Sequence, residues 1–231
     1  MNLELDHVFI LVKPEARVAD LLIAKGFDEG TRNIHPGQGT SNRRFFFTNG
    51  MLEFIWVRDV AEAKNGAGRD LLFPERDTNS TASPFGVILR RKDSINSQPS
   101  KMPFNGWSYQ PTYFEPPNAF HVGANSHNIS EPLCIYVPFT LPKSSVNKGK
   151  INGSFAISNV CIHIPSADRN EVLEAVDRAD RLSIQYGKEQ KNGNGIKRSL
   201  LWKGRRFPTR NSFDYVLVVI TSTTGEKNES R

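Results

Sequence analysis

Arg44-Phe45-Phe46-Phe47-Thr48-Asn49-Gly50-Met51-Leu52-Glu53-Phe54-Ile55-Trp56-Val57 reads as a β-hairpin that carries an acid on one of its two faces. Asn-Gly is the strongest short hairpin signal, because both central residues of a type I′ turn need positive φ. With Asn49-Gly50 at the turn, Thr48 pairs with Met51, Phe47 with Leu52, Phe46 with Glu53, Phe45 with Phe54 and Arg44 with Ile55. Side chains alternate along a strand, so Phe45, Phe47, Leu52, Phe54 and Trp56 share one face, suited to packing on helices. Asn42, Arg44, Phe46, Glu53, Ile55 and Val57 share the other. A carboxylate among large apolar side chains is costly to bury without a partner. Arg44, diagonal to Glu53 in this register, could form that partner as an ion pair.

Upstream of the hairpin, residues 3–12 alternate as a strand, with Leu5, His7, Phe9 and Leu11 on one face and Val8, Ile10 and Val12 on the other. Pro14 suits the first turn of a helix, and Ala16, Val18, Ala19, Leu21, Leu22 and Ile23 give that helix an apolar stripe, which Gly26 ends. A strand over residues 27–34 and a glycine-rich loop over 35–41 complete the order β, α, β, β, β across residues 1–70. The loop lacks the Gly-Lys-Ser/Thr ending of a phosphate-binding loop. Its glycines are read as turn formers, with His35, Gln38 and Asn42 as polar groups near a cleft mouth.

Residues 71–150 read as an extension, with strands at 83–90 and 133–138 and with Trp107, Tyr109, Tyr113 and Phe114 set among prolines. Aromatic loops of this kind close over a cleft or cap a core. Residues 151–222 run a similar order again: a strand at 155–164, Asp168 with Glu171 as a capping box, and a helix stripe of Val172, Leu173, Val176, Ala179 and Leu182. Strands at 196–203 and 213–221 follow, and the polar tail 223–231 reads as disordered. Such a repeat implies a structural duplication.

With 231 residues the chain can hold one large domain or two small ones. Its net charge of +6 peaks at Arg90-Arg91-Lys92 and Lys203-Gly204-Arg205-Arg206. These clusters are short and no nucleic-acid-binding motif accompanies them, so they read as solvated surface, and no nucleic-acid partner is expected. No run approaches the ~20 apolar residues of a membrane helix. The opening Met-Asn-Leu-Glu-Leu-Asp has neither region of a secretion signal, so a cytoplasmic location without a membrane partner is expected. Cys134 and Cys161 lie in apolar strand-like runs without CxxC or Cys/His spacing and read as buried free thiols. His121 and His127, in a polar loop, read as exposed and uninvolved.

Leu5-Asp6-His7-Val8 opening a βαβββ unit, with Leu52-Glu53-Phe54 closing it, resembles the vicinal oxygen chelate superfamily of glyoxalases, extradiol dioxygenases and bleomycin-type resistance proteins. More narrowly, His35-Pro-Gly-Gln-Gly-Thr-Ser-Asn-Arg-Arg-Phe-Phe-Phe47 followed by Leu52-Glu-Phe-Ile-Trp-Val57 is similar to bacterial glyoxalase-like domain proteins, and Ser83-Pro-Phe-Gly86 adds weaker support. The resemblance implies an α+β fold of paired βαβββ modules whose curved mixed sheets form a cleft. It also implies a divalent metal (Ni, Mn, Fe or Zn) held by His7 and Glu53. Aligning Ile157-Ser-Asn-Val160 on Leu5-Asp-His-Val8, and Phe213-Asp-Tyr215 on Leu52-Glu-Phe54, makes Asn159 and Asp214 the other two ligands. Asn is a weak ligand for transition metals, so this set departs from a His/Glu/His/Glu one.

Two readings follow. In the first, a glyoxalase-like enzyme with lyase, isomerase or dioxygenase-like chemistry binds a small oxygenated, in one version anionic, molecule in the inter-module cleft. The metal acts as a Lewis acid, with Glu53 or His35 moving protons. Arg44, Asn42, Gln38, Phe46 and Trp107 are then the substrate-binding candidates, Arg44 through its bidentate fork if Glu53 leaves it free. In the second, a metal-free protein binds or sequesters its small-molecule ligand, and Glu53 pairs with Arg44. Either reading suits a monomer or a homodimer.

Overall fold

The structure is a computed structural model that describes residues 1–79, 81–92, 101–139, 150–164, 168–187, 200–203 and 215–222. Its elements are β1 (Leu3–Leu11), α1 (Ala19–Ile23), β2 (Asn33–His35), β3 (Thr40–Phe47), β4 (Gly50–Val57), α2 (Val60–Asn65), α3 (Phe73–Thr78) and β5 (Phe85–Arg91). There follow β6 (Gly106–Tyr109), β7 (Phe120–Gly123), β8 (Leu133–Tyr136), β9 (Ile151–Asn152), β10 (Phe155–Ile164), α4 (Glu171–Asp177), β11 (Leu182–Tyr186), β12 (Leu200–Lys203) and β13 (Tyr215–Ser222). The fold is α+β and dominated by strands.

A large mixed sheet runs β2-β3-β4-β1-β5-β8-β7-β6, with β9 added beside β3. It consists of two four-stranded runs that meet where β1 and β5 pair antiparallel. In each run the first strand lies parallel to the fourth, β1 to β4 and β5 to β8, and the remaining pairs are antiparallel. Half of this sheet therefore comes from residues 85–136, the stretch read from sequence as an extension. The last third builds a separate sheet, β11-β10-β13-β12. It does not repeat the strand order of the first unit: α4 returns the chain to the position beside β10, where β11 pairs in parallel as a β-α-β unit.

The hairpin forms one step away from the expected register. Phe47 pairs with Gly50, Phe45 with Leu52 and Arg44 with Glu53, so the turn residues are Thr48 and Asn49. Gly50 is not among the residues of positive φ. The turn is placed instead by what it docks on: the Asn49 amide bonds both the carbonyl and the N–H of Ile157 at 2.9 Å, and the Thr48 N–H donates to the Phe155 carbonyl. Both strands keep their faces, because the new pairs preserve the alternation. Arg44 thus stands directly across from Glu53 rather than diagonal to it.

Strand β1 holds a second departure. Its pairing with β5 shifts between Leu5 and His7, so Asp6 is an extra residue in a β-bulge. Leu3 and Leu5 consequently pack with Val8 and Ile10 on the back of the sheet, while His7 stays with Phe9 and Leu11 on the front. The expected sharing of a face by Leu5 and His7 fails for that reason.

Elsewhere the local signals are partly displaced. The first helix splits into a 3-10 turn at Pro14–Ala16 and α1, and Gly26, at φ 87°, closes it with the Phe27 N–H on the Leu22 carbonyl. The strand expected at 27–34 is confined to β2. The cap of α4 is Asn170, whose side chain accepts from the Leu173 N–H, not an Asp168 capping box. Leu182 begins β11 rather than extending the helix.

The back of the large sheet is covered by α1 and by the C-terminal unit. Phe45, Phe54 and Trp56 pack there with Leu22, Ile157, Ile162, Leu173 and Val176. On the front, Phe9, Leu11, Ile55 and Val57 pack with Ala63, Leu71 and Phe73 and with Ile88, Leu133 and Ile135. Cys134 and Cys161 are buried free thiols, and burial pushes the Cys134 thiol up to about 12.

Candidate functional site

Glu53 is 6% exposed and faces the front of the sheet from the middle of β4. Four neighbouring side chains define its setting. Asn42, on β3, donates through Nδ2 to Glu53 Oε1. His35 Nε2 lies 3.8 Å from the same oxygen, and His7 Nε2 lies 3.8 Å from the other one, Oε2. Arg44 stands opposite but makes no ion pair with Glu53. Its Nε donates to the Thr31 carbonyl at 2.7 Å and its guanidinium lies over the Phe46 ring at 5.2 Å, which hold it off the acid. The Arg44–Glu53 salt bridge of the second, metal-free reading is therefore absent among the described residues, and Arg44 is left free as the first reading required. Burial lowers the Arg44 guanidinium from its ordinary value against the pull of the Glu53 charge.

The hydrogen-bond network assigns the orientation of these groups. Asn42 Oδ1 accepts the Asn33 N–H at 2.7 Å, so its NH2 must point to Glu53 and to His35 Nε2, 3.4 Å away. That leaves His35 Nε2 an acceptor and puts its proton on Nδ1, which bonds Thr40 Oγ1 at 2.8 Å. Gln38 Nε2 donates to the same hydroxyl at 2.8 Å, and Gln38 Oε1 accepts from Tyr109 at 3.3 Å. Burial pushes His35 below the ordinary imidazole value, and the Arg44 and His7 charges add to this against the pull of Glu53. His35 is thus a neutral, fully engaged side chain that orients Asn42.

His7 is held differently. Its Nδ1 sits 2.6 Å from Asp6 Oδ1, and Arg90 donates to the second Asp6 oxygen at 3.1 Å. Burial would raise the Asp6 carboxyl, but His7 and Arg90 beside it hold it below the usual carboxylate range. Asp6 therefore fixes the His7 proton on Nδ1 and leaves Nε2 facing Glu53 Oε2. The bulge makes this possible, because Asp6 and His7 are consecutive and yet both reach the same edge of the site.

The glycines of the β2–β3 turn have a packing role. At Gly39, φ is 69° and a Cβ would come within 2.4 Å of the Ala63 N–H nitrogen and the Asp59 carbonyl; at Gly66 one would meet the Gly37 carbonyl at 2.3 Å. The turn is pressed against the start of α2, and this sets Gln38 and Thr40 beneath His35.

Several sequence candidates take other places. Trp107 donates its indole N–H to Ser126 at 3.0 Å and, among the described residues, adjoins the site through the Tyr109 ring. Tyr109 and Tyr113 are the aromatic residues at the cluster: the Tyr113 ring lies 6.0 Å from His35, and burial, with the Tyr109 and Glu53 charges, pushes its phenol above the ordinary value. Phe46 serves as the platform under Arg44. His121 donates through Nε2 to the Phe104 carbonyl, 2.8 Å away, and is half-buried rather than exposed; His127 is exposed. Sequence reasoning marked Tyr109 and Tyr113 only as aromatics that close a cleft or cap a core, and it missed Asp6 and Thr40 as members of the cluster, of which the Asp6-His7 adjacency was a signal within reach.

Of the four-ligand metal set that the family resemblance implies, the described residues bring together His7 and Glu53. Asn159 belongs to β10, in the separate sheet, and Asp214 lies outside the described residues. On the front face of the second four-stranded run, where a duplicated site would supply ligands, stand Ile88 and Ile135. Among the described residues no three His, Cys, Asp or Glu side chains converge to hold a metal ion: His7 and His35 approach different oxygens of Glu53.

No family model matches the chain, and no curated protein matches it. Among solved structures, a hypothetical protein from Staphylococcus aureus is similar at 12% identity and a TM-score of 0.46, covering 80% of this chain and 87% of that one. A hypothetical protein from Bacillus halodurans is similar at 11% identity and a TM-score of 0.39, covering 63% of this chain and 100% of that one.

Proposed function

We propose that this is a glyoxalase-like protein of the vicinal oxygen chelate type that binds a small oxygenated molecule on the front of its large sheet, with Glu53 and His7 as the groups that receive the ligand's protons. The two four-stranded runs of identical order, joined at their first strands, support the family reading. One observation carries the functional one: Glu53 is buried, its Oε1 is held by Asn42, and its Oε2 has no hydrogen-bond partner among the described residues while lying 3.8 Å from His7 Nε2. Oε2 is not among the fully buried atoms without a partner, so it is reachable from outside, and a ligand that donates to it meets an acceptor already held in place. Asp6 and Asn42 preorganise both acceptors before the ligand arrives.

The ligand is taken directly by side chains in this reading, and no metal is needed to satisfy Glu53. A second reading is favoured by the Asp6–His7 contact, since a carboxylate on the outer nitrogen of a histidine is a common support for a metal ligand. His7 and Glu53 would then hold a divalent ion as a two-ligand site. Elemental analysis of purified protein and of Glu53→Gln separates the two: stoichiometric metal lost in the variant favours the second. The binding reading itself is tested by screening small oxygenated compounds by NMR against both proteins. Compounds whose binding depends on Glu53 are expected; a screen with none would overturn it.

A further inference from the structure

The charge arrangement of the cluster narrows the ligand class, on the reading that the Glu53 face binds a small molecule. Arg44 and Glu53 are directly opposed on neighbouring strands, yet they are kept from pairing. The guanidinium is anchored by one nitrogen on the Thr31 carbonyl and by its face on Phe46; both terminal nitrogens have no hydrogen-bond partner among the described residues. A planar fork held in this way is set to receive a carboxylate through two parallel N–H bonds. On the other side, Glu53 Oε2 is a carboxylate acceptor with no hydrogen-bond partner among the described residues, and His7 Nε2 lies 3.8 Å from it. An ammonium both donates to this oxygen and complements its charge, whereas a ligand hydroxyl only donates.

We infer that the site takes a small zwitterion, a free amino acid or a close relative, with its carboxylate on the Arg44 fork and its ammonium on Glu53 Oε2. The held-off cation and the half-satisfied acid are then two ends of one recognition device. Each end discriminates because an analogue lacking the matching group forgoes a charge-assisted contact with a side chain already held in place. Phe46 beneath the guanidinium keeps the fork from folding back onto Glu53.

The test is isothermal titration of the full chain with each of the common free amino acids, their N-acetyl derivatives, the decarboxylated amines and the matching 2-hydroxy acids. At least one amino acid is expected to bind, and its N-acetyl, amine and hydroxy analogues to bind at least tenfold more weakly. Arg44→Lys, which keeps the charge but removes the fork, is expected to weaken the amino acid at least fivefold while leaving the amine unchanged. Glu53→Gln is expected to abolish the preference for amino acid over hydroxy acid. NMR spectra of both variants establish that they fold. A hydroxy acid or simple carboxylate that binds as well as the amino acid overturns the ammonium assignment. Glu53-dependent binding of other oxygenated compounds, with no amino acid bound, overturns the zwitterion while sparing the broader reading. Absence of any Glu53-dependent ligand overturns both.

Discussion

At the scale of single residues, two of the buried charges, Arg43 and Glu53, serve different purposes. Arg43, 4% exposed on the back of β3, is satisfied by Glu29 at 2.5 and 2.9 Å and by Asp20 at 2.7 Å. It ties α1 and the residues after it to the sheet. Arg43→Met is expected to cost about 2–3 kcal/mol in urea unfolding at neutral pH, because Glu29 is left half-buried with only the exposed Arg32 beside it and Asp20 loses its partner. Burial would raise the Glu29 carboxyl, but Arg43 and Arg32 hold it below the ordinary glutamate value. A carboxyl depressed in the folded state stabilises the fold above its unfolded value, and that contribution fades as pH falls through the folded one. The gap between wild type and Arg43→Met should therefore shrink as the pH is lowered below about 4, which urea titrations across pH would show. Glu53 is the contrasting case, an acid whose second oxygen awaits a partner. Its importance was legible from the strand pattern alone, since alternation set it on a face with Ile55 and Val57. Its real partners were not, because Asn42 and His7 reach it through pairings on two different neighbouring strands.

At the scale of elements, turn chemistry and strand register part company. Asn49-Gly50 is the textual hairpin signal, yet the turn sits one residue earlier because Asn49 is used to bond β10. The faces survive because the displaced pairs keep the same parity, so the composition of each face could be read while the partners could not. The Asp6 bulge had no such protection: a single extra residue turns half of β1 over, and nothing in its alternation marks it. Gly39 gives an element-scale test. Gly39→Ala would meet backbone of α2 at a positive φ, and is expected to cost about 2–4 kcal/mol by thermal unfolding. NMR shifts at Gln38, Thr40 and His35 should move with it, since these residues ride on the same turn. Tyr109 and Tyr113 were hidden for a related reason: β6 is a short strand whose place depends on β7, and its pairing, not its composition, carries Tyr109 to Gln38.

At the scale of the whole molecule, the C-terminal unit braces the site from behind. Arg181, at φ 66°, donates to the Leu5 and Asn49 carbonyls at 2.5 and 2.9 Å and reaches Glu4 at 3.3 Å, while Asp180 pairs with β1 through backbone bonds at Leu3 and Leu5. These contacts fall on the bulge that aims His7 and on the turn beside Glu53. Arg181→Gly keeps the backbone conformation accessible and removes only the side chain. It is expected to cost about 1–2 kcal/mol and to speed hydrogen exchange near the bulge and at Gly50 more than at β7. The separate sheet was not foreseen because β10, α4 and β11 look, as a string, like the opening of the first unit; only the pairing of β11 with β10 distinguishes them.

The two runs of the large sheet differ at matching places on the front. Where the first run places His7, Asn42 and Glu53, the second places Ile88, Leu133 and Ile135. If both descend from one ancestral unit, one copy has kept recognition and the other has become a wall. The two should then differ in the substitutions they tolerate. In a mutational scan scored by ligand binding, aliphatic exchanges among Ile88, Leu133 and Ile135 would pass largely unnoticed, while even Glu53→Asp or Asn42→Asp would be purged.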